Sequence, residues 1–154
     1  MTATPPPRLL ADGMLGRLAK WLRMMGYDTA YDNRADDHEL AHRSRLEGRI
    51  LLTRDCELAG RKGLTTVFIK SQMLEEQVRQ VVAQIGAPPE SPLQRCSVCN
   101  TPLEAAAAGQ VTDRVPPYVL KAQRVFRICP GCGRVYWAGT HRDRILEQLK
   151  TFNK

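Results

Sequence analysis

Arg8-Leu-Leu-Ala-Asp-Gly-Met-Leu-Gly-Arg-Leu-Ala-Lys-Trp-Leu-Arg-Met-Met25 is the stretch that decides the fold. It opens with a short apolar run, Arg8–Ala11, closed by Asp12 and Gly13, the form of a buried strand. From residue 13 to 25 the period changes. Leu15, Leu18, Ala19, Leu22 and Met25 recur at helical spacing and share one face, and Gly26 supplies a stop. The alternation continues along the chain. Residues 27–31 read as a strand, 37–46 as a helix closed by Gly48, and 49–53 as a strand carrying Ile50, Leu51 and Leu52. A strand at 66–69 and a helix at Leu74–Ile85, stopped by Gly86, follow. Strands alternating with helices predict an α/β fold, a three-layer α/β/α unit around a parallel sheet.

The 154 residues suit one domain with a small appendage, and 43% apolar with 25% charged residues allows a buried core. No apolar run approaches the roughly 18 residues that span a bilayer, so no membrane role is expected. The N-terminal Met1-Thr-Ala-Thr-Pro-Pro-Pro7 has no basic patch and no apolar h-region, which predicts a cytoplasmic location. In that setting five cysteines read as metal ligands or free thiols. Ala87-Pro-Pro-Glu-Ser-Pro92 reads as a linker, dividing a unit at 8–87 from a second at 93–150. The charge balance changes there: residues 1–90 carry 13 basic and 12 acidic groups, residues 91–154 carry 10 and 4. Nearly all of the net +7 therefore sits in the tail, which points to an anionic partner.

In a parallel sheet, ligands collect where the strands end at their carboxyl termini. Asp12 ends the first strand, Asp55 follows the third with Glu57 two residues on, and Asp36 and Asp37 open the intervening helix. If the two strands are neighbours, Asp12 and Asp55 emerge side by side. Converging carboxylates repel unless a divalent cation neutralises them, and such clusters with Mg²⁺ or Mn²⁺ hydrolyse phosphodiesters. The same residue types also serve as turn and cap residues. His38 and His42, at i and i+4 without a Glu of the H-E-x-x-H type, read as a solvated helix face.

The opening stretch, continued through Gly-Tyr-Asp28-Thr, resembles the PIN-like RNase domain known from the C-terminus of Mut-seven exonucleases. The similarity continues through Asp37-His-Glu-Leu-Ala41, Glu47-Gly-Arg-Ile-Leu-Leu-Thr-Arg-Asp55 and Tyr136-Trp-Ala-Gly-Thr-His141. Short bacterial and archaeal members of that family join this domain to a zinc ribbon. The resemblance implies a PIN-like fold and metal-dependent ribonuclease chemistry, with Asp12, Asp37 and Asp55 at the acidic positions. Glu57 stands where related proteins carry a further acid. Asp37 is preferred to Asp36 because it directly precedes His-Glu-Leu-Ala.

Cys96-Ser-Val-Cys99 and Cys129-Pro-Gly-Cys132 are two CxxC knuckles, the ligand set of a structural Zn²⁺ site. The 29 residues between them exceed the usual spacing of about 15–20, so a hairpin or loop is inserted. A closed Cys₄ set leaves no open position for catalysis. The alternative, a redox pair, is disfavoured because neither knuckle lies at a strand–helix boundary of the α/β unit. Cys56 is assigned no role.

RNA is the expected partner. Arg17, Lys20 and Arg23 form a basic stripe on the first helix. Arg124, Arg127, Arg134, Trp137, His141 and Arg142 interleave charge and aromatic surface in the tail. Against this, the stripe also fits a plain solvated face, and Phe126, Tyr136 and Trp137 also fit a small ribbon core. The function expected is a ribonuclease, endo in preference to exo. The rivals are an RNA-binding adaptor without catalysis and a PIN-type toxin. On this reading, loss of zinc unfolds the tail and spares the α/β unit.

Overall fold

The computed structural model describes residues 5–152. Four short strands, β1 (Arg8–Ala11), β2 (Asp28–Tyr31), β3 (Ile50–Thr53) and β4 (Thr66–Phe68), form one sheet in the order β2-β1-β3-β4. Every pairing is parallel, with Leu10 opposite both Ala30 and Leu51. Helix α1 (Gly16–Met25) follows β1, α2 (Asp37–Glu47) joins β2 to β3, α3 (Cys56–Ala59) follows β3, and α4 (Leu74–Ile85) follows β4.

The pleat sorts the strand residues. Leu9, Ala11 and Leu52 face a core shared with Leu18 and Leu22 of α1 and Val78 and Val81 of α4. Leu10 and Leu51 face the opposite layer, with Leu40 of α2 and Leu58 of α3. The three-layer α/β/α architecture expected from the sequence is therefore present, and β1 and α4 have the expected bounds. Elsewhere the ends move by a residue or more, for local reasons. Helix α1 is preceded by a 3-10 turn over Gly13–Leu15, because the Asp12 side chain accepts the Met14 N–H. Tyr27 lies outside β2: its N–H returns to Leu22 O and its hydroxyl donates to Gly86 O at 2.5 Å.

The tail builds a second, antiparallel sheet from β5 (Glu104–Ala106), β6 (Phe126–Ile128) and β7 (Val135–Trp137), with β6 central. The long insertion between the knuckles holds β5 and two short helices, α5 (Ala108–Val111) and α6 (Pro117–Ala122). Val111 of α5, Val119 of α6 and Val115 between them enclose Phe126 in a small core of their own. The last helix, α7 (Thr140–Phe152), belongs elsewhere. All but its last two residues lie within the segment 93–150 assigned by sequence to the ribbon, yet Leu149 and Phe152 are buried in the first core beside α1 and α4. The Phe152 ring meets Trp21 edge to face, centroids 5.5 Å apart. No helix among the described residues is long and apolar enough to cross a membrane.

The proline-rich stretch is likewise not a free tether. Leu93 N–H donates to Met24 O at 2.8 Å and Glu90 N–H to Gly26 O at 3.2 Å, so the segment is laid along the end of α1. Gly26 permits this. Its φ is +118°, and a Cβ there would lie 2.2 Å from Glu90 O. Gly26→Ala thus combines left-handed strain with a backbone clash and should cost roughly 2–4 kcal/mol, some 5–10 °C of melting temperature. Gly86→Ala is the control: φ is +110° but nothing lies within 4 Å of its Cβ, so strain alone acts. Equal melting shifts for the two variants would show that the Glu90 contact is absent in solution.

Candidate active site and metal centre

Asp12 leaves β1 with its N–H donated to Leu52 O at 3.0 Å, which locks the end of β1 to the end of β3. Its side chain is 6% exposed. Oδ1 accepts the Met14 N–H at 2.8 Å and Oδ2 accepts the Thr53 hydroxyl at 2.6 Å. The same Thr53 Oγ1 accepts the Asp55 N–H at 3.0 Å. Asp55 in turn caps α3, its Oδ1 accepting from Glu57 N at 2.9 Å and Leu58 N at 3.2 Å. One wholly buried hydroxyl thus ties the two carboxylate-bearing turns together.

The place matters as much as the bonds. From β1 the chain steps to β2 on one side, then crosses back to β3 on the other, so the switch of direction falls between β1 and β3. Crevices form at that point, outside the carboxyl ends of the strands. Asp12 and Asp55 flank it, as the sequence reading expected of neighbouring strands.

The second acid separates into two roles. Asp36 caps α2, its Oδ1 accepting the Glu39 N–H at 2.8 Å. Asp37, half-buried at the first helical position, accepts no hydrogen bond among the described residues. Glu57 is exposed on α3, and His38 and His42 are exposed on α2. The carboxylate oxygens of Asp12, Asp37, Asp55 and Glu57 do not close into one tight group. Among the described residues, the cysteines alone bring three or more candidate ligand atoms within 4.8 Å of one another. As donors, however, the acids are an all-oxygen set of the kind hard divalent cations take, and each Asp12 oxygen keeps a lone pair beyond its single hydrogen bond.

The four-cysteine cluster is compact. Cys96 and Cys132 Sγ are 3.6 Å apart, Cys99 and Cys129 Sγ 3.2 Å, close to the edge of about 3.8 Å implied by a tetrahedron with 2.3 Å Zn–S bonds. Both knuckles share one hydrogen-bond plan. Asn100 N–H donates to Cys96 O and Gly133 N–H to Cys129 O, while Cys96 N–H donates to Thr101 O and Cys129 N–H to Arg134 O. The residue after each second cysteine is left-handed, Asn100 at φ 72° and Gly133 at 81°. The set is that of a zinc ribbon. Burial works to raise the Cys99 thiol, but hydrogen bonds from Thr101 and the neighbouring thiols prevail and bring it down to about 6. Tyr136, its hydroxyl 3.1 Å from Cys96 Sγ, is pushed up to about 12, first by burial and then by that sulfur. It stands as a hydroxyl donor beside the ligand.

The first knuckle is docked on the α/β unit. Arg23 is 5% exposed, with Nε donating to Thr29 O and Nη1 to both Ser97 O and Val98 O of the knuckle. Desolvation lowers its pKa, against the raising effect of nearby Cys99, Cys96 and Asp28. The Asn100 side chain accepts the Thr29 N–H at 2.9 Å and donates to Asp28 Oδ1 at 2.6 Å, covering the open edge of β2. Asp28 also takes Arg49 Nη1 at 2.8 Å and lies 3.8 Å from Arg95. Burial works to raise its pKa, but these partners hold it below the usual carboxylate range.

Three residues expected to contact RNA are therefore occupied elsewhere. Arg23 is a buried clamp on the knuckle, because the tail covers that end of the stripe. Arg127 donates to Gln94 at 2.7 Å. Trp137 packs against the ribbon core around the buried Phe126, and the half-buried Tyr136 lies with its hydroxyl on Cys96 Sγ. Arg17, Lys20, Arg124, Arg134, His141 and Arg142 remain exposed, the last two on α7 and not on a ribbon strand. The sequence reading missed Thr53, Asn100 and Tyr136. Only Asn100 carried a signal, as the residue type that tolerates the left-handed position in the slot Gly133 fills in the other knuckle.

A family model described as Mut7-C RNAse domain matches residues 7–149, nearly the whole chain. No curated protein and no solved structure matches it.

Proposed function

The chain belongs to the Mut7-C RNAse domain family, and on that premise we propose that it cuts RNA internally, by hydrolysis dependent on Mg²⁺ or Mn²⁺ held by Asp12, Asp37 and Asp55. The family makes RNA the substrate class and hydrolysis the reaction. The single observation that carries the finer reading is the Asp12–Thr53–Asp55 linkage at the switch point between β1 and β3. When bound, the divalent ions supply an activated water and offset charge on the phosphodiester oxygens. The protein's part is orientation. Thr53 and the Met14 N–H fix both Asp12 oxygens, the α3 cap fixes Asp55, and the uncommitted Asp37 carboxylate remains available to turn toward an ion. Glu57, exposed two residues beyond Asp55, is the candidate for positioning the water. Arg17 and Lys20, on the exposed face of α1, are the candidates for holding the flanking phosphates. Zn²⁺ in the four-cysteine site builds structure, and the exposed Arg124, Arg134, His141 and Arg142 extend the RNA contact.

The test uses a circular single-stranded RNA, which offers no end. With Mn²⁺ or Mg²⁺ added to the zinc-loaded protein the circle should open to linear product, and without either it should stay closed. Persistence of the circle while a linear strand of the same sequence is shortened would make the enzyme an exonuclease. No cleavage of either would leave the adaptor reading.

A further inference from the structure

With Phe126 and Trp137 spent on the ribbon core and the Tyr136 hydroxyl on Cys96 Sγ, we propose that single-stranded RNA is gripped by the outer face of α6, with the Tyr118 ring as the platform on which a base stacks. The proposal deepens the ribonuclease reading and rests on its assignment of RNA as the substrate.

Helix α6 turns one face inward. Val119 is 3% exposed and Leu120 half-buried against the ribbon core, so Tyr118, Lys121 and Ala122 lie on the opposite side. Tyr118 is 73% exposed, more than any other aromatic among the described residues, and its hydroxyl has no hydrogen-bond partner among them. Pro116 and Pro117 stiffen the backbone that presents it. A Tyr ring on a stiffened backbone has only two side-chain torsions to fix on stacking, so it offers contact area at low cost in conformational freedom.

The surrounding charge selects the ligand. Between residues 91 and 139 there are six basic side chains against two acidic ones, Glu104 and Asp113. Arg95 is paired with Glu90 and Arg127 is tied to Gln94. The other four, Arg114, Lys121, Arg124 and Arg134, are exposed. Lys121 follows Tyr118 by one helical turn, about 5–6 Å between Cβ atoms, which suits a base on the ring and its phosphate on the ammonium. Arg124 continues from the helix end, and Arg114 stands four residues before the ring with Nη1 on Gly133 O. A π-face beside a run of cations fits an unpaired nucleotide, whose base is free to lie on the ring. A duplex keeps its base faces covered and offers phosphates alone.

Fluorescence anisotropy on zinc-loaded full-length protein, without Mg²⁺ or Mn²⁺, tests this with a labelled oligouridine 12-mer and a 12-bp RNA duplex. Tyr118→Ala should weaken oligouridine binding about tenfold with an unchanged salt slope, and duplex binding less than twofold. Tyr118→Phe should bind as the parent does. Lys121→Ala should flatten the salt slope by about 0.7. Melting temperatures of all three should match the parent, the side chains being exposed. Parental affinity in Tyr118→Ala, or an equal loss on duplex, would overturn the proposal. Cleavage of circular RNA is read separately, so a stacking loss without any metal-dependent cleavage would sink the nuclease and leave this surface standing.

Discussion

Asp12→Asn and Asp55→Asn should each abolish the proposed Mn²⁺-dependent cleavage, a loss of about a thousandfold or more, while the protein stays folded. Losing a ligand carboxylate removes an ion, and with it the activated water and the charge that stabilises the departing oxygen. The fold survives because Asn is isosteric: at position 12 its oxygen accepts the Met14 N–H and its amide replaces the acceptor of the Thr53 hydroxyl, a loss of about 1–3 kcal/mol, and at position 55 its oxygen still caps α3. Two comparisons make the result specific. Asp36→Asn keeps a helix cap and should cleave as the parent does, whereas Asp37→Asn should be inactive. Thr53→Val touches no substrate but frees Asp12 and the Asp55 turn. It should lose about 10–100-fold, recovered in part by raising Mn²⁺, as befits a residue acting through the ligands. Near-parental rates in Asp12→Asn, in protein free of contaminating nuclease, would remove that residue from the site.

What the sequence disclosed and what it withheld follow from the range of the interactions. Local patterns were legible: β1 is an apolar run between turn residues, and α4 has its apolar period and Gly86 stop. The pairing of Asp12 with Asp55 needed one further fact, that β1 and β3 are neighbours, and the apolar strands alternating with helices allowed it without fixing it. The burial of Arg23 is not legible locally: its i, i+3 relation to Lys20 is local, whereas its burial depends on carbonyls 74 and 75 residues away. Trp137 shows the same limit. Alternation of basic and aromatic residues fits a binding strand and a strand over a small core equally well, and the choice rests on the α5–α6 segment supplying Val111, Val115 and Val119. The packing of α7 on the first core was hidden for a different reason. Ile145, Leu146, Leu149 and Phe152 have helical spacing, but nothing in that spacing says which core the helix covers.

That last helix decides what zinc loss does. The sequence reading expects Cys96→Ser to unfold the tail alone, and the contacts between the two units argue for a single cooperative unit. Structural zinc contributes about 10–16 kcal/mol of binding, comparable with the entire 5–15 kcal/mol stability of a domain. Without it the 96–100 knuckle has no reason to keep its shape. Arg23 then loses Ser97 O and Val98 O, Thr29 N–H loses Asn100 Oδ1, and the edge of β2 opens. The α/β unit loses these contacts without replacement, and α7, packed on its core through Leu149 and Phe152, is joined to it only by a chain that runs through the ribbon. The two tryptophans report the units separately, Trp21 in the α/β core and Trp137 in the ribbon. With each replaced in turn by Phe, the remaining fluorescence should melt at one shared midpoint. Chelation or Cys96→Ser should lower both midpoints together, by 10 °C or more. Arg23→Met should narrow the effect at Trp21, since a neutral side chain in that place has no carbonyls to lose. If chelation collapses the Trp137 signal and leaves the Trp21 midpoint where it was, the ribbon is an independent appendage and the clamp at Arg23 carries no coupling.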